Sequence, residues 1–158
     1  MLYCKSTQEW HGGTVYIEPE YPNLIFAKDG EIYDFGGQSY IVIGGAYSVD
    51  KYLRLLRGYH WFESEQPSDE IKKYVEQQLD KADWQVDGVL SHTTPKKYEP
   101  VWAFLDSIDQ SRVDKSTEIW LEEIEKKVKI QTLVCRSFSC GQSGRSYKAY
   151  VSGYHTNE

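Results

Sequence analysis

The chain has 158 residues, is 40% hydrophobic and 15% aromatic, and carries a formal net charge of −6. This length and composition suit one globular domain with a substantial core and exclude a disordered tail. The acidic balance opposes nonspecific nucleic-acid binding, no apolar run reaches membrane-spanning length, and three cysteines are too few for a disulfide framework.

In chain order, Gly13 to Ile17 and Leu24 to Ala27 read as short strands. Asp29-Gly30 lies between Leu24-Ile25-Phe26 and Glu31-Ile32-Tyr33-Asp34-Phe35 and signals a tight hairpin. Gly36-Gly37 then precedes Gln38-Ser39-Tyr40-Ile41-Val42-Ile43, which is rich in β-branched and aromatic residues and is closed by Gly44-Gly45. The first third is thus expected to be a meander punctuated by glycine. Ser48 suits the cap of a short helix through Leu56. Ser68 suits the cap of a longer one, with Ile71, Tyr74, Val75 and Leu79 on one face. A strand ending at His92 follows. The spacing predicts a helix from Tyr98 to Ile108 that buries Val101, Trp102, Leu105 and Ile108. Ser116 suits the cap of another, with Ile119, Trp120, Ile124 and Val128 as its apolar stripe. Lys129 to Val134 reads as a further strand. The order predicts an α/β layered domain with a mixed sheet, β-meander first and strand–helix alternation after it. Residues 1–134 form this domain. Residues 135–158 form a divergent Ser/Gly-rich tail, whose only acidic residue is Glu158 and whose Tyr147 to Val151 can dock as a strand.

The segment Val86-Asp87-Gly88-Val89-Leu90-Ser91-His92-Thr93-Thr94-Pro95 is the most informative for function. An apolar strand ends and a histidine follows at once, pinned by a proline. Open α/β sheets place chemistry at the carboxyl ends of their strands. A histidine there can ligate a metal, move a proton, or simply bond a neighbouring backbone group. His60 sits between Tyr59 and Trp61, in a run that continues to Phe62. With Tyr47 and Tyr52 these residues make a group of interface-favouring types, equally suited to core packing. We take Tyr59, His60, Trp61 and Phe62 as candidate binding residues. Cys135 and Cys140 with His155 have unusual spacing for zinc and lack an obvious fourth ligand. The paired glycines at 36–37 and 44–45 do not follow the phosphate-loop order, so turns explain them.

Several of these segments together resemble calcineurin-like metallophosphoesterases. They are Glu9-Trp10-His11-Gly12-Gly13, Gly30-Glu31-Ile32-Tyr33-Asp34-Phe35-Gly36-Gly37, Ile43-Gly44-Gly45-Ala46, Gly58-Tyr59-His60-Trp61-Phe62, Glu65-Gln66-Pro67-Ser68 and Leu90-Ser91-His92-Thr93-Thr94-Pro95. The resemblance runs from about residue 9 to residue 130, and it implies a two-sheet α/β sandwich with paired divalent metals at the strand ends. In that family the ligands come from D-x-H, G-D-x-x-D and G-N-H-E elements, a middle histidine and a late G-H-x-H. This chain contains none of the first three. His92 matches the middle histidine. Ser152-Gly153-Tyr154-His155-Thr156 resembles a G-H-x-H run without its first histidine, which makes His155 the second candidate metal ligand. His11 matches a family position not used for metal.

Two hard or borderline cations need several carboxylate and imidazole ligands. Two histidines do not supply them, so no residue is assigned a catalytic role and no cofactor is expected. The resemblance therefore implies a partial metallophosphoesterase-like sandwich that acts by binding a macromolecule, through a protein partner or a homodimer. Small phage or mobile-element inhibitors, anti-CRISPR inhibitors among them, suit such a description. The alternative is a metal-dependent phosphoesterase with a reduced or partner-completed site, holding a divalent metal such as manganese and recruiting carboxylates from Asp50, Asp87 or Glu99. Met1 is not followed by a basic segment and an apolar run, so a cytoplasmic location without membrane contact is expected.

Overall fold

A computed structural model describes residues 6–101 and 109–129, together with the backbone of two strands at Thr132–Ser137 and Tyr147–Ser152. Its first element is a strand that the sequence pattern had not singled out, β1 (Ser6–Trp10). β1 pairs antiparallel with β2 (Gly13–Ile17), which pairs in turn with β3 (Ile25–Ala27). Five strands then form a mixed sheet in the order β4 (Ile32–Asp34), β5 (Ser39–Ile43), β6 (Gly88–Ser91), β7 (Thr132–Ser137) and β8 (Tyr147–Ser152). β5, β6 and β7 run parallel, and an antiparallel strand flanks them at each edge. The protein is thus mixed α/β, with two small sheets.

The expected hairpin across Asp29-Gly30 does not form, because β3 and β4 belong to different sheets. The residue pair does make a turn, with Glu31 N–H donating to the Lys28 carbonyl, but the turn passes the chain from one sheet to the other. Gly30 N–H donates to Val42 and Val42 N–H donates to Glu31, which starts the second sheet instead. A turn dipeptide fixes the reversal and leaves the pairing open. The real hairpin joins β4 to β5 through Gly36-Gly37. Both glycines adopt positive φ (69° and 85°), which a two-residue type I′ turn requires. Asp34 Oδ1 accepts the Gly37 N–H at 2.9 Å and secures that turn.

Three helices lie among the described residues: α1 (Lys51–Leu56), α2 (Asp69–Lys81) and α3 (Ser116–Lys127). α2 forms as its pattern predicts. The Ser68 hydroxyl accepts the Ile71 N–H at 3.3 Å, and acidic Asp69 and Glu70 occupy the first turn. Its Val75 and Leu79 are fully buried against Ile41 and Ile43 of β5 and Val89 of β6. α3 adds Leu121 and Ile124, with Val128 just past its end, to the same cluster. One core therefore lies between the sheet and these two helices, and the parallel β5–β6–β7 strands give it a rigid platform.

The other helix expectations need correction. Asp114, rather than Ser116, supplies the carboxylate that accepts the Ser116 N–H (2.8 Å), and Ser116 is itself the first residue of α3. The buried positions of α3 are Thr117, Glu118, Leu121 and Ile124; of the expected stripe, Ile124 and Val128 are buried and Trp120 packs against the core, whereas Ile119 is exposed. Val101 is exposed instead of buried. Tyr98 closes a short 3-10 turn (Lys96–Tyr98) where the expected helix would begin, and residues 102–108, with Trp102, Leu105 and Ile108, lie outside the described residues. Ser48 does not cap α1 through its side chain; its hydroxyl bonds the Glu65 carboxylate, and Asp50 occupies the cap position. Among the described residues no helix is long and apolar enough to cross a membrane.

Candidate functional site

The carboxyl ends of β5 and β6 meet a corner built from three loops. Gly44 to Ala46 leave β5, and Ala46 N–H donates to the Glu65 carbonyl at 2.8 Å. A Cβ at Gly45 would lie 2.9 Å from that carbonyl oxygen, so only glycine lets the two backbones approach this closely. His92 follows β6 and donates its N–H to the Ile43 carbonyl at 3.1 Å, which fixes its backbone beside the end of β5. Its imidazole is exposed. Gln66 Nε2 reaches Ser116 Oγ at 3.5 Å and ties the corner to the start of α3.

On either side of His92 in the chain, Ser91 and Thr93 join a buried polar group that no local pattern signals. Ser91 Oγ donates to the Thr93 carbonyl at 2.7 Å, and Thr93 Oγ1 donates to Glu118 Oε1 at 2.9 Å. Burial pushes the Glu118 carboxyl above the usual carboxylate range; Glu99 adds to this, and the Thr93 bond and Lys115 oppose it. Glu118 Oε2, Thr94 Oγ1 and Thr117 Oγ1 are buried with no hydrogen-bond partner among the described residues. Asp29 is a second raised carboxyl: burial drives its pKa up although its Oδ1 accepts the Gly44 N–H at 2.6 Å.

The carboxylates proposed as recruited ligands are engaged elsewhere. Asp87 precedes β6, at the end opposite His92, and its Oδ2 accepts both the N–H and the hydroxyl of Ser39 (2.7 and 3.0 Å). Those bonds hold its carboxyl below the usual range. Glu99 pairs with Lys115 at 3.0 Å, and Asp50 pairs with Arg54 at 2.8 Å. Among the described residues no three His, Cys, Asp or Glu side chains come together to hold a metal ion. His155 and Cys140 lie outside the described residues, and for Cys135 only the backbone of β7 is described.

The candidate binding residues Tyr59, His60, Trp61 and Phe62 do come together, and they continue a larger surface. α1 buries no side chain. Lys51 and Arg54 turn toward the body of the protein. Lys51 Nζ sits 3.6 Å from the centre of the Trp61 ring, and Arg54 pairs with both Asp50 and Glu65 (2.8 and 3.0 Å). Leu53, Leu55 and Leu56 face outward, and Leu56 is 85% exposed; Tyr52 is exposed too, with the Arg112 guanidinium 5.6 Å over its ring. Tyr59 and Phe62, which follow α1 in the chain, are exposed as well, and the His60 and Phe62 rings stack at 6.0 Å with an interplanar angle of 11°. Trp61 is half-buried, and its indole N–H is enclosed without a partner among the described residues.

A soluble-protein helix ordinarily turns apolar residues to the core and charges to water; α1 does the reverse. The leucines of α1 escaped the sequence reading, which stopped at the aromatic residues. The signal was present, however: apolar residues at 52, 53, 55 and 56 alternate with cations at 51, 54 and 57. No protein-family model, curated protein or solved structure compared with this chain gives a significant match.

Proposed function

We propose that this protein is a catalytically incomplete, metallophosphoesterase-like binding protein that acts through the surface formed by residues 49–62. The inverted orientation of α1 carries this reading. Leucines held outward on a helix whose cations are already paired inward contribute nothing to their own core, whereas removing them from water on a partner is worth about 25 cal/mol per Å². Contiguous apolar surface rimmed by polar residues marks interaction sites, and Tyr and Trp are the residue types enriched where binding energy concentrates. A small inhibitor encoded by a phage or mobile element is a setting that fits this reading.

The test places a photo-crosslinking amino acid at position 56 and, as a control, at position 81 on the far end of α2. The reading expects a discrete protein adduct from position 56 in cells and none from position 81. No adduct from either position removes it.

A second reading, a metal-dependent phosphoesterase with a reduced or partner-completed site, draws on one observation: the exposed His92 imidazole beside the paired ends of β5 and β6. It expects manganese-dependent turnover of an aryl phosphate that is lost in His92→Ala. Turnover that is absent, or that is unchanged in the variant, ends it.

A further inference from the structure

We propose that the occupant of the outward α1 face is a second copy of this chain, joined about a two-fold axis that passes near Leu53. This deepens the binding reading above and rests on it. The argument starts from what a two-fold axis demands. An isologous interface must be complementary to itself, so each charge near one end needs the opposite charge at the other end. The α1 segment has that pattern. Asp50 and Arg57 are seven residues apart, two helical turns, and so lie along the same side of the helix. Leu53 lies between them, with Leu56 beside Arg57.

Both charges are available. The Asp50 side chain is 47% exposed even though Arg54 holds it, and Arg57 is exposed and forms no ion pair among the described residues. When two such segments pack antiparallel, each Asp50 meets the partner's Arg57, and Leu53 and Leu56 of the two copies meet near the axis. The other cations of α1 are held within the chain, Lys51 over Trp61 and Arg54 by Asp50 and Glu65, and Arg112 lies over the Tyr52 ring at the edge of the face.

A lipid surface fits less well. An interfacial helix places its cations at the edge of the apolar face, where they reach anionic headgroups. Here two of the three cations point the other way, and the whole chain is acidic. The size of the patch also matters. A standard protein interface covers about 800 Å² per partner. Fully buried aromatic side chains supply about 150–250 Å² each, so Tyr52, Tyr59 and Phe62 with the leucines provide an interface at the modest end. A reversible dimer that dissociates on dilution is the expected state.

The test measures sedimentation equilibrium of the full chain over a wide concentration range. The wild type is expected to shift from monomer to dimer, and Leu56→Glu to weaken the dimer roughly tenfold or more, the scale of losing one central apolar contact. The decisive arm uses two charge reversals. Asp50→Lys and Arg57→Glu should each remain monomeric alone, because like charges then face each other across the axis. Mixed, they should form a heterodimer, because both ends of the interface are again paired. Circular dichroism of each variant confirms that it is folded before mixing.

A wild type that stays monomeric at every concentration overturns the proposal, as does a mixture that associates no better than its components. Sedimentation with anionic vesicles, abolished by Leu56→Glu, would assign the face to lipid and overturn it as well. Failure of the dimer leaves the binding reading open only if the crosslinker at position 56 yields an adduct with a different protein; no adduct at all would remove both.

Discussion

α1 and α2 are successive helices of one chain, and they treat their apolar residues in opposite ways. α2 has a hydroxyl cap, an acidic first turn, and Val75 and Leu79 fully buried under the sheet. α1 has no side-chain cap, buries nothing, and leaves Leu56 85% exposed. The difference separates residues that hold the fold from residues available for something else. Apolar content alone does not reveal which is which; orientation relative to the sheet does.

The predictions probe that contrast. The largest effect belongs to the α2 side. Leu79→Ala should cost about 2–5 kcal/mol in chemical denaturation, the range for emptying a fully buried leucine site. A loss below about 1 kcal/mol would mean that the helix–sheet core is looser than its burial indicates. Ser68→Ala should cost about 1 kcal/mol through loss of the bond to Ile71 N–H. An unchanged midpoint would show that the α2 cap is as dispensable as the absent side-chain cap of α1. Replacing Gly37 by alanine should cost a similar amount, about 1–2 kcal/mol, since a residue with a Cβ is strained at its positive φ.

The Glu118 carboxyl gives a prediction in pH, and the sign follows from its raised pKa. A carboxyl bound more tightly to its proton in the folded state favours folding at acid pH, and that contribution disappears as pH rises through the folded pKa. Glu118→Gln removes this dependence, so the variant should gain on the wild type as pH rises from the ordinary glutamate range toward neutrality. The comparison is made between two denaturation series, because carboxyls held low, such as Glu31 and Asp114, slope the other way in both proteins. A constant gap between the two curves would show that Glu118 has no shifted titration.

Much of this fold was legible in the sequence, for reasons particular residues make clear. The β-branched and aromatic run in Gln38–Ile43 and the 3.6-residue spacing of Ile71, Val75 and Leu79 have tertiary consequences that agree with local pattern, so strand and helix form where expected. Asp29-Gly30 was legible as a turn and illegible as a junction between sheets, since nothing local distinguishes pairing with β3 from pairing with β5. In α3 the expected Trp120, Ile124 and Val128 join the core, whereas the choice of Thr117 and Leu121 over Ile119 lies at the edge of the stripe, which periodicity does not resolve. The Tyr59–Phe62 run was visible by residue type, but its exposure was not. The Thr93–Glu118 bond joins positions 25 apart and had no local signal. The metallophosphoesterase resemblance pointed to His92, which the structure leaves exposed at the end of β6.

The central claim is that the apolar side chains of α1 serve association and contribute nothing to the fold of their own chain. Denaturant unfolding of Leu56→Glu, measured at high dilution beside the wild type, tests it most directly. The account predicts free energies of unfolding within about 0.5 kcal/mol of each other, as for a surface substitution. A loss approaching that of Leu79→Ala would contradict it and return α1 to the core.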